Sequence, residues 1–348
     1  MHSGRDASGA LIGRALLLDG IERLLEGGRV VTLTGLPGVG KSRLARETAT
    51  RVARRGREGA RRSATHVVDL AGLRDGRLLP HTVAAAVGVP TTTERPMPEA
   101  LFDALGGSGL LLVLDNCEHL VASCARFAAD LLRSCPGVAL LVTSRTPLRV
   151  AAERMLSVAP LTESEAVAVF TRYARANDPS FVADGHDEQL VRGICRRLDC
   201  LPLALELAAS QLQHRTVEEL DHDLDMGRDL HRPTAAPVSP HHHRSLCTAL
   251  GRSHELCAPA DRLLWARLSV FVTGFTSDDA VAVCGDAALA DVPGRLASLA
   301  ESSLLTGRAE KFWLPVTVRT YGAARLHALG ESSTIRARHL AWLAGREE

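Results

Sequence analysis

Gly35-Leu36-Pro37-Gly38-Val39-Gly40-Lys41-Ser42 carries the most definite chemistry in this chain: a G-x4-G-K-[ST] run between an aliphatic stretch and an amphipathic one. Its glycines let the backbone curl until successive N–H groups converge on phosphate oxygens, and a helix starting at Lys41 adds its positive end. Lys41 brings a mobile cation to β- and γ-phosphates and Ser42 a hydroxyl to Mg²⁺. Arg43 follows in the same turn, and Gly35, Pro37, Gly38, Val39, Gly40, Lys41, Ser42 and Arg43 are together expected to line a nucleotide. The chain uses arginine almost everywhere, and its only other lysine is Lys311. A lysine at the one position where the motif needs it is therefore not compositional noise.

A second element lies some 70 residues on. Leu110-Leu111-Leu112-Val113-Leu114-Asp115 is an aliphatic strand ending in a carboxylate, which sets Asp115 beside the loop to hold Mg²⁺ through water. A third, Thr143-Ser144-Arg145, ends the next strand, where Arg145 would lie near the γ-phosphate and could tell ATP from ADP. The base for hydrolysis is less evident. Asn116 stands where some ATPases carry a second carboxylate, and an amide takes no proton from water. Glu118 is the nearest acid; it is the candidate base, with a cap or a solvated surface group as the alternative. Slow hydrolysis is the expectation.

The elements that must position these residues are legible from periodicity. Over the first ~150 residues, short aliphatic strands at Arg29–Thr34, Thr65–Asp69, Leu110–Asp115 and Val138–Thr143 alternate with amphipathic helices. That pattern predicts an α/β fold, a P-loop NTPase parallel sheet with helices on both faces. After about Ser157 helical patterns take over, at Glu163–Arg175, Asp187–Leu198 and Pro202–His214. Residues 1–157 thus read as a nucleotide domain and 158–232 as a small helical domain. A Pro- and His-rich linker follows at 233–243. Residues 244–325 read as a winged-helix domain with a two-stranded wing near Ser303–Leu314, and 326–348 as a C-terminal helix.

Composition excludes several classes. At 348 residues, 46% apolar and 23% charged, the chain supports more than one globular core. Its formal charge of +1 leaves no global footprint for nucleic acid. No signal peptide or membrane-length apolar run occurs, so a cytoplasmic location without membrane association is expected. Eight cysteines without CxxC spacing read as reduced, mostly buried thiols. His241-His242-His243 reads as linker rather than metal site, and the arginines between Arg51 and Arg62 as a solvated helix end rather than a nucleic-acid surface.

The ordered stretches Leu11-Ile12-Gly13-Arg14, Gly35–Ser42, LLVLDNCEHL (111–120), LVTSRTPLR (141–149), LPLALELA (201–208), LSVFVTGF (268–275) and VRTY (318–321) resemble the bacterial NB-ARC-type STAND ATPases found in AfsR-like and LuxR-type transcriptional regulators of actinomycetes. The resemblance runs from about Leu11 to Gly345. It implies that Gly13 and Arg14 lie against an adenine, that Arg145 is the first phosphate sensor, and that Pro202 packs on the base. It further implies ATP or ADP with Mg²⁺ as ligand, ADP holding the domains shut, and ATP opening them for self-assembly or binding of protein partners. Direct DNA binding by this chain is not expected. Departures from the family pattern are Ala15 for Glu, Cys200 for Gly, Arg252 for Trp, and Leu314-Pro315-Val316-Thr317 where the ADP-sensing His or acid usually stands. The reading is a nucleotide-dependent regulatory switch with slow ATPase activity. A hydrolysis-incompetent nucleotide-binding scaffold and a winged-helix DNA-binding regulator are the alternatives.

Overall fold

The computed structural model describes residues 11–57, 64–90, 95–107, 109–182, 184–225, 246–308 and 310–345. The linker expected at 233–243, with its three histidines, lies outside these residues, as do Arg61 and Arg62. The chain divides into two units, one of Gly13–Leu36 and Gly40–Ala159 and a second that takes in Pro37–Val39 and Pro160–Glu348.

The first unit runs α1 (Ala15–Gly27), β1 (Val30–Thr34), α2 (Lys41–Arg57), β2 (Ala64–Asp69), α3 (Leu79–Val87), α4 (Met97–Leu105), β3 (Leu110–Asp115), α5 (Val121–Ser134), β4 (Ala139–Thr143) and β5 (Glu153–Ser157). Its strands form one sheet in the order β2-β3-β4-β1-β5, parallel throughout. The α/β class and the flanking helices are as the periodicity requires. Every residue of β1, β3 and β4 is buried, as it must be in strands covered on both faces. Leu110, Leu112 and Leu114 pack with Leu140, Val142 and the apolar stripe Cys124, Phe127, Ala128 and Leu131 of α5. Leu111 and Val113 alternate onto the opposite face, where α2 runs against β2, β3 and β4.

β5 is a strand that the hydrophobic pattern did not reveal. It pairs only with β1 and reads Glu-Arg-Met-Leu-Ser, mostly exposed. Polar contacts hold it instead: Thr32 Oγ1 donates to Glu153 Oε1 at 2.6 Å, and the amides of Leu148 and Arg149 donate to the same carboxylate.

The second unit contains α6 (Glu163–Asn177), α7 (Gly185–Arg197), α8 (Pro202–Ala209), α9 (Val217–Asp225), α10 (Leu246–Leu256), α11 (Pro259–Leu268), α12 (Ser277–Cys284), α13 (Val292–Glu301), β6 (Thr306–Arg308), β7 (Lys311–Trp313), α14 (Val316–Ala328) and α15 (Ser332–Ala344). Thr162 and Glu165 form a reciprocal capping box that starts α6. The helix expected over Pro202–His214 is shorter: α8 stops at Ala209 and a 3₁₀ turn covers Ser210–Gln213, with Ser210 Oγ donating to the Leu207 carbonyl. β6 and β7 pair antiparallel where the wing is predicted. α14 is continuous through residue 325, so the division expected there falls inside a helix. Among the described residues, no helix is long and apolar enough to cross a membrane.

Candidate functional site

The site is built at the carboxyl ends of β1, β3 and β4. β1 ends at Thr34, and Gly35, Gly38 and Gly40 then take φ values of +138°, +79° and +101°, a curl that side-chain-bearing residues rarely adopt. Pro37 and Val39 are buried within this loop. α2 begins at Lys41, so Lys41, Ser42 and Arg43 occupy its first turn.

Lys41 Nζ donates to the carbonyls of Gly35 (2.7 Å) and Leu36 (3.1 Å), which holds the ammonium over its own loop. Withdrawal from solvent lowers the Lys41 pKa to about 8; Glu118 opposes this, Arg145 adds to it, and Asp115 opposes it. That three of the residues singled out from the sequence act on this ammonium shows how closely they cluster.

Asp115 ends β3 and is wholly buried. Ser42 Oγ donates to its Oδ1 at 2.6 Å, and Thr143 Oγ1, from the end of β4, donates to the same oxygen at 2.5 Å. Arg46, one turn into α2, reaches Oδ2 at 3.4 Å. A buried carboxylate is stable only when paired and hydrogen-bonded in this way. Arg145 is also buried and lies 3.5 Å from Glu118 Oε1. Glu118 is therefore engaged by a cation rather than presented alone.

Gly13 is left-handed at φ +71° and Arg14 is buried at the residue that precedes α1. Pro202 opens α8, in the second unit, at a first-turn position that proline favours. Seven cysteines are described and free, all buried but the half-buried Cys200. No group of three or more His, Cys, Asp or Glu side chains that could hold a metal occurs among the described residues. In the arginine run, Arg51 pairs with Asp19 at 3.0 Å and Arg55 with the buried Glu22 at 2.5 Å. Both tie α2 to α1.

Four residues at the site escaped the sequence reading as contributors: Arg46, Asp69, Thr143 and the side chain of Asn116. Asp69 ends β2 in register with Asp115, and Asn116 Nδ2 donates to Asp69 Oδ1 at 2.9 Å. The available signal was that all three strands end in a polar residue, but which ends adjoin depends on strand order.

Residues 23–149 match the AAA domain family. The chain is 33% identical over 348 residues to an uncharacterized protein of Mycobacterium tuberculosis, covering 97% of this chain and 86% of that one. It is 35% identical over 326 residues to a second M. tuberculosis protein, whose name proposes an HTH-type transcriptional regulator; 91% of this chain is matched but only 36% of that protein's length. Among solved structures, a Walker-type ATPase of Pyrococcus abyssi superposes with a TM-score of 0.58 at 15% identity, covering 89% of this chain and 95% of that one. The ORC2 protein of Aeropyrum pernix in ADPNP–ADP complexes gives 0.55 at 15% identity, covering 95% of each. Loop, buried acid and strand order, with the match over residues 23–149, give this part of the chain the fold of an AAA-domain P-loop protein. Within that class, the chain belongs to one family with the uncharacterized mycobacterial protein and is related to the longer regulator-named one.

Proposed function

We propose that this chain binds Mg²⁺ with ATP or ADP on the Gly35–Arg43 loop and uses nucleotide exchange as a regulatory switch, with slow hydrolysis of ATP to ADP and phosphate. The observation that carries the reading is the pairing of Ser42 Oγ with Asp115 Oδ1 at 2.6 Å beneath a loop that already holds a lysine ammonium. A hydroxyl and a carboxylate at hydrogen-bond distance are the donor set a small, hard cation takes in phosphoryl-transfer sites. Ser42 and Asp115 would hold the metal, which when bound neutralises charge on the β- and γ-phosphates. Lys41 has its carbonyl partners to exchange for phosphate oxygens. Arg145 is the candidate sensor of the γ-phosphate, and its contact with Glu118 is the local pairing that arrival of that phosphate would compete with.

Gly13, Arg14 and Pro202 are assigned to the adenine on the NB-ARC resemblance. The same resemblance supports the division into a nucleotide domain (1–157), a helical domain (158–232), a linker (233–243) and a winged-helix region from 244, with ADP favouring a closed arrangement and ATP an open one that recruits partners or further copies. The nucleotides in the A. pernix protein and the name of the longer mycobacterial relative support adenine as the base and transcriptional regulation as the setting. A scaffold that holds nucleotide without turnover is the second reading, favoured by Asn116 in the place of an acid.

The test is to denature the purified protein, identify released nucleotide by chromatography, and time turnover of Mg²⁺-ATP in wild type and Lys41→Ala. Bound ADP and slow turnover that Lys41→Ala abolishes would support the switch. Held nucleotide without turnover would favour the scaffold, and no binding would refute the reading.

A further inference from the structure

The end of β3 supplies one carboxylate, Asp115, wholly buried and committed to Ser42, Thr143 and Arg46. A group in that position can hold a cation but has no accessible oxygen with which to take a proton from water. The residue after it is an amide. The nearest acid along the chain, Glu118, lies against Arg145. A carboxylate from elsewhere in the sheet, nearer to Asp115 and open to water, is the better-placed acceptor.

The neighbouring strand provides one. β2 and β3 are parallel and in register over six residues, which sets Asp69 level with Asp115. Unlike Asp115, the Asp69 side chain is 36% exposed, so water reaches it. Its Oδ1 accepts from the Ala71 amide at 3.0 Å and from Asn116 Nδ2 at 2.9 Å, which fixes the direction of the carboxylate. Arg46 lies 3.4 Å from Asp115 Oδ2 and 3.9 Å from Asp69 Oδ2, and this one guanidinium compensates two acids that would otherwise repel.

Asn116 is the second half of the arrangement. It is a non-glycine residue in the left-handed region, at φ +65°, a conformation that costs energy and persists only where the surroundings impose it. Two bonds impose it here: its backbone N–H donates to Thr143 Oγ1 at 2.9 Å, and its side chain to Asp69. The same Thr143 hydroxyl donates to Asp115. The left-handed turn thus swings the amide towards β2 and joins the two carboxylates in one chain of hydrogen bonds. The amide oxygen of Asn116 has no partner among the described residues and is available to accept from a water held beside Asp69.

We propose that Asp69 is the general base for ATP hydrolysis at this site and that Asn116 positions the attacking water, an assignment that rests on the nucleotide reading above. The water oxygen bonds to the γ-phosphorus as the bond from that phosphorus to the β–γ bridging oxygen breaks, its electron pair leaving on ADP. The water's proton passes to the Asp69 carboxylate and then to solvent. One ATP and one water give ADP, inorganic phosphate and one proton.

Asp69→Asn tests this directly, because the amide keeps the size of the side chain and an oxygen to accept from Ala71. Steady-state turnover and the dissociation constant of a fluorescent ATP analogue with Mg²⁺ are measured for wild type, Asp69→Asn, Asp69→Glu and Glu118→Gln. The expected result is a fall in kcat on the order of 10²-fold or more for Asp69→Asn, with nucleotide affinity kept within about threefold. Asp69→Glu recovers part of that loss, and Glu118→Gln costs less than about tenfold. The assignment is overturned if Asp69→Asn turns over within about threefold of wild type, if Glu118→Gln abolishes turnover while Asp69→Asn does not, or if Asp69→Asn weakens affinity and kcat in parallel without recovery in Asp69→Glu. Wild type that binds nucleotide but shows no turnover also overturns it. Wild type that binds no nucleotide refutes the underlying reading instead.

Discussion

Replacing Asp199 by alanine should loosen the second unit more than any substitution on its surface. Asp199 ends the turn after α7, in the left-handed region at φ +53°, with Cys200 beside it at +51°. Its carboxylate accepts from the Val316 amide at 2.8 Å, the Thr317 amide at 2.7 Å and the Thr317 hydroxyl at 2.7 Å. These are the first donors of α14, whose own N-cap residue is Pro315 and supplies no side-chain cap. An acid 117 residues away thus does the work of a local serine or aspartate. Alanine removes the cap, leaves two amides and the fully buried Thr317 hydroxyl to find other partners, and holds a left-handed backbone less well than aspartate. Loss of the cap, which is the loss of the two amide bonds, costs about 1 kcal/mol, the unpaired Thr317 hydroxyl about 1 kcal/mol or more, and the backbone about 1 kcal/mol. A total near 3 kcal/mol corresponds to a midpoint about 6–12 °C lower for a unit of this size.

The assay is favourable, because Trp265, Trp313 and Trp342 are the chain's three tryptophans and all belong to this unit, so their fluorescence follows its unfolding. Hydrogen exchange at the Val316 and Thr317 amides gives a local readout. Burial raises the Asp199 pKa above its ordinary value although the three bonds it accepts pull it down. A raised folded-state pKa means a contribution to stability that is present in acid and lost as pH rises through the folded value. Wild type should therefore gain on Asp199→Asn as pH falls through that range towards the ordinary value of 3.8. An Asp199→Ala midpoint within about 2 °C of wild type, with unchanged exchange at Val316 and Thr317, would refute the capping argument.

Two further outcomes are expected. With the Lys41 pKa lowered to about 8, the ammonium that phosphate needs is lost as pH rises past that value; Mg²⁺-ATP affinity should fall above about pH 8 in wild type and stay level in Lys41→Arg, as a fluorescent-nucleotide titration across this range would reveal. Gly322→Ala should destabilise the second unit by about 1–2 kcal/mol in a urea titration although alanine is the better helix former by about 1 kcal/mol, because the added Cβ would lie 2.9 Å from the Trp265 carbonyl and 3.0 Å from its indole; a gain in stability would sink the packing argument.

What the sequence disclosed and what it concealed divide along a physical line. Lys41, Ser42 and the glycines act through a turn that closes within eight residues, so chain order alone specifies their geometry. β1, β3 and β4 are buried on both faces and read as unbroken aliphatic runs. β5 lies at the sheet's edge with one partner, is held by Glu153 rather than by apolar burial, and so carries no hydrophobic signature. Asp69 was visible only as the end of a strand. Its relation to Asn116, 47 residues on, exists because β2 lies beside β3, and that of Thr143 to Asp115, 28 residues back, because β4 lies on the other side. Asp199 and Thr317 are an extreme case: neither belongs to a recognisable motif, yet one caps the helix whose first turn contains the other. The residues that bind phosphate in this class are neighbours in the chain, while those that would act on water are neighbours only in the sheet. A reading from sequence therefore identifies a nucleotide site sooner than it identifies a catalyst: it turns to Glu118, the acid nearest along the chain, whereas the sheet also brings Asp69 to Asn116.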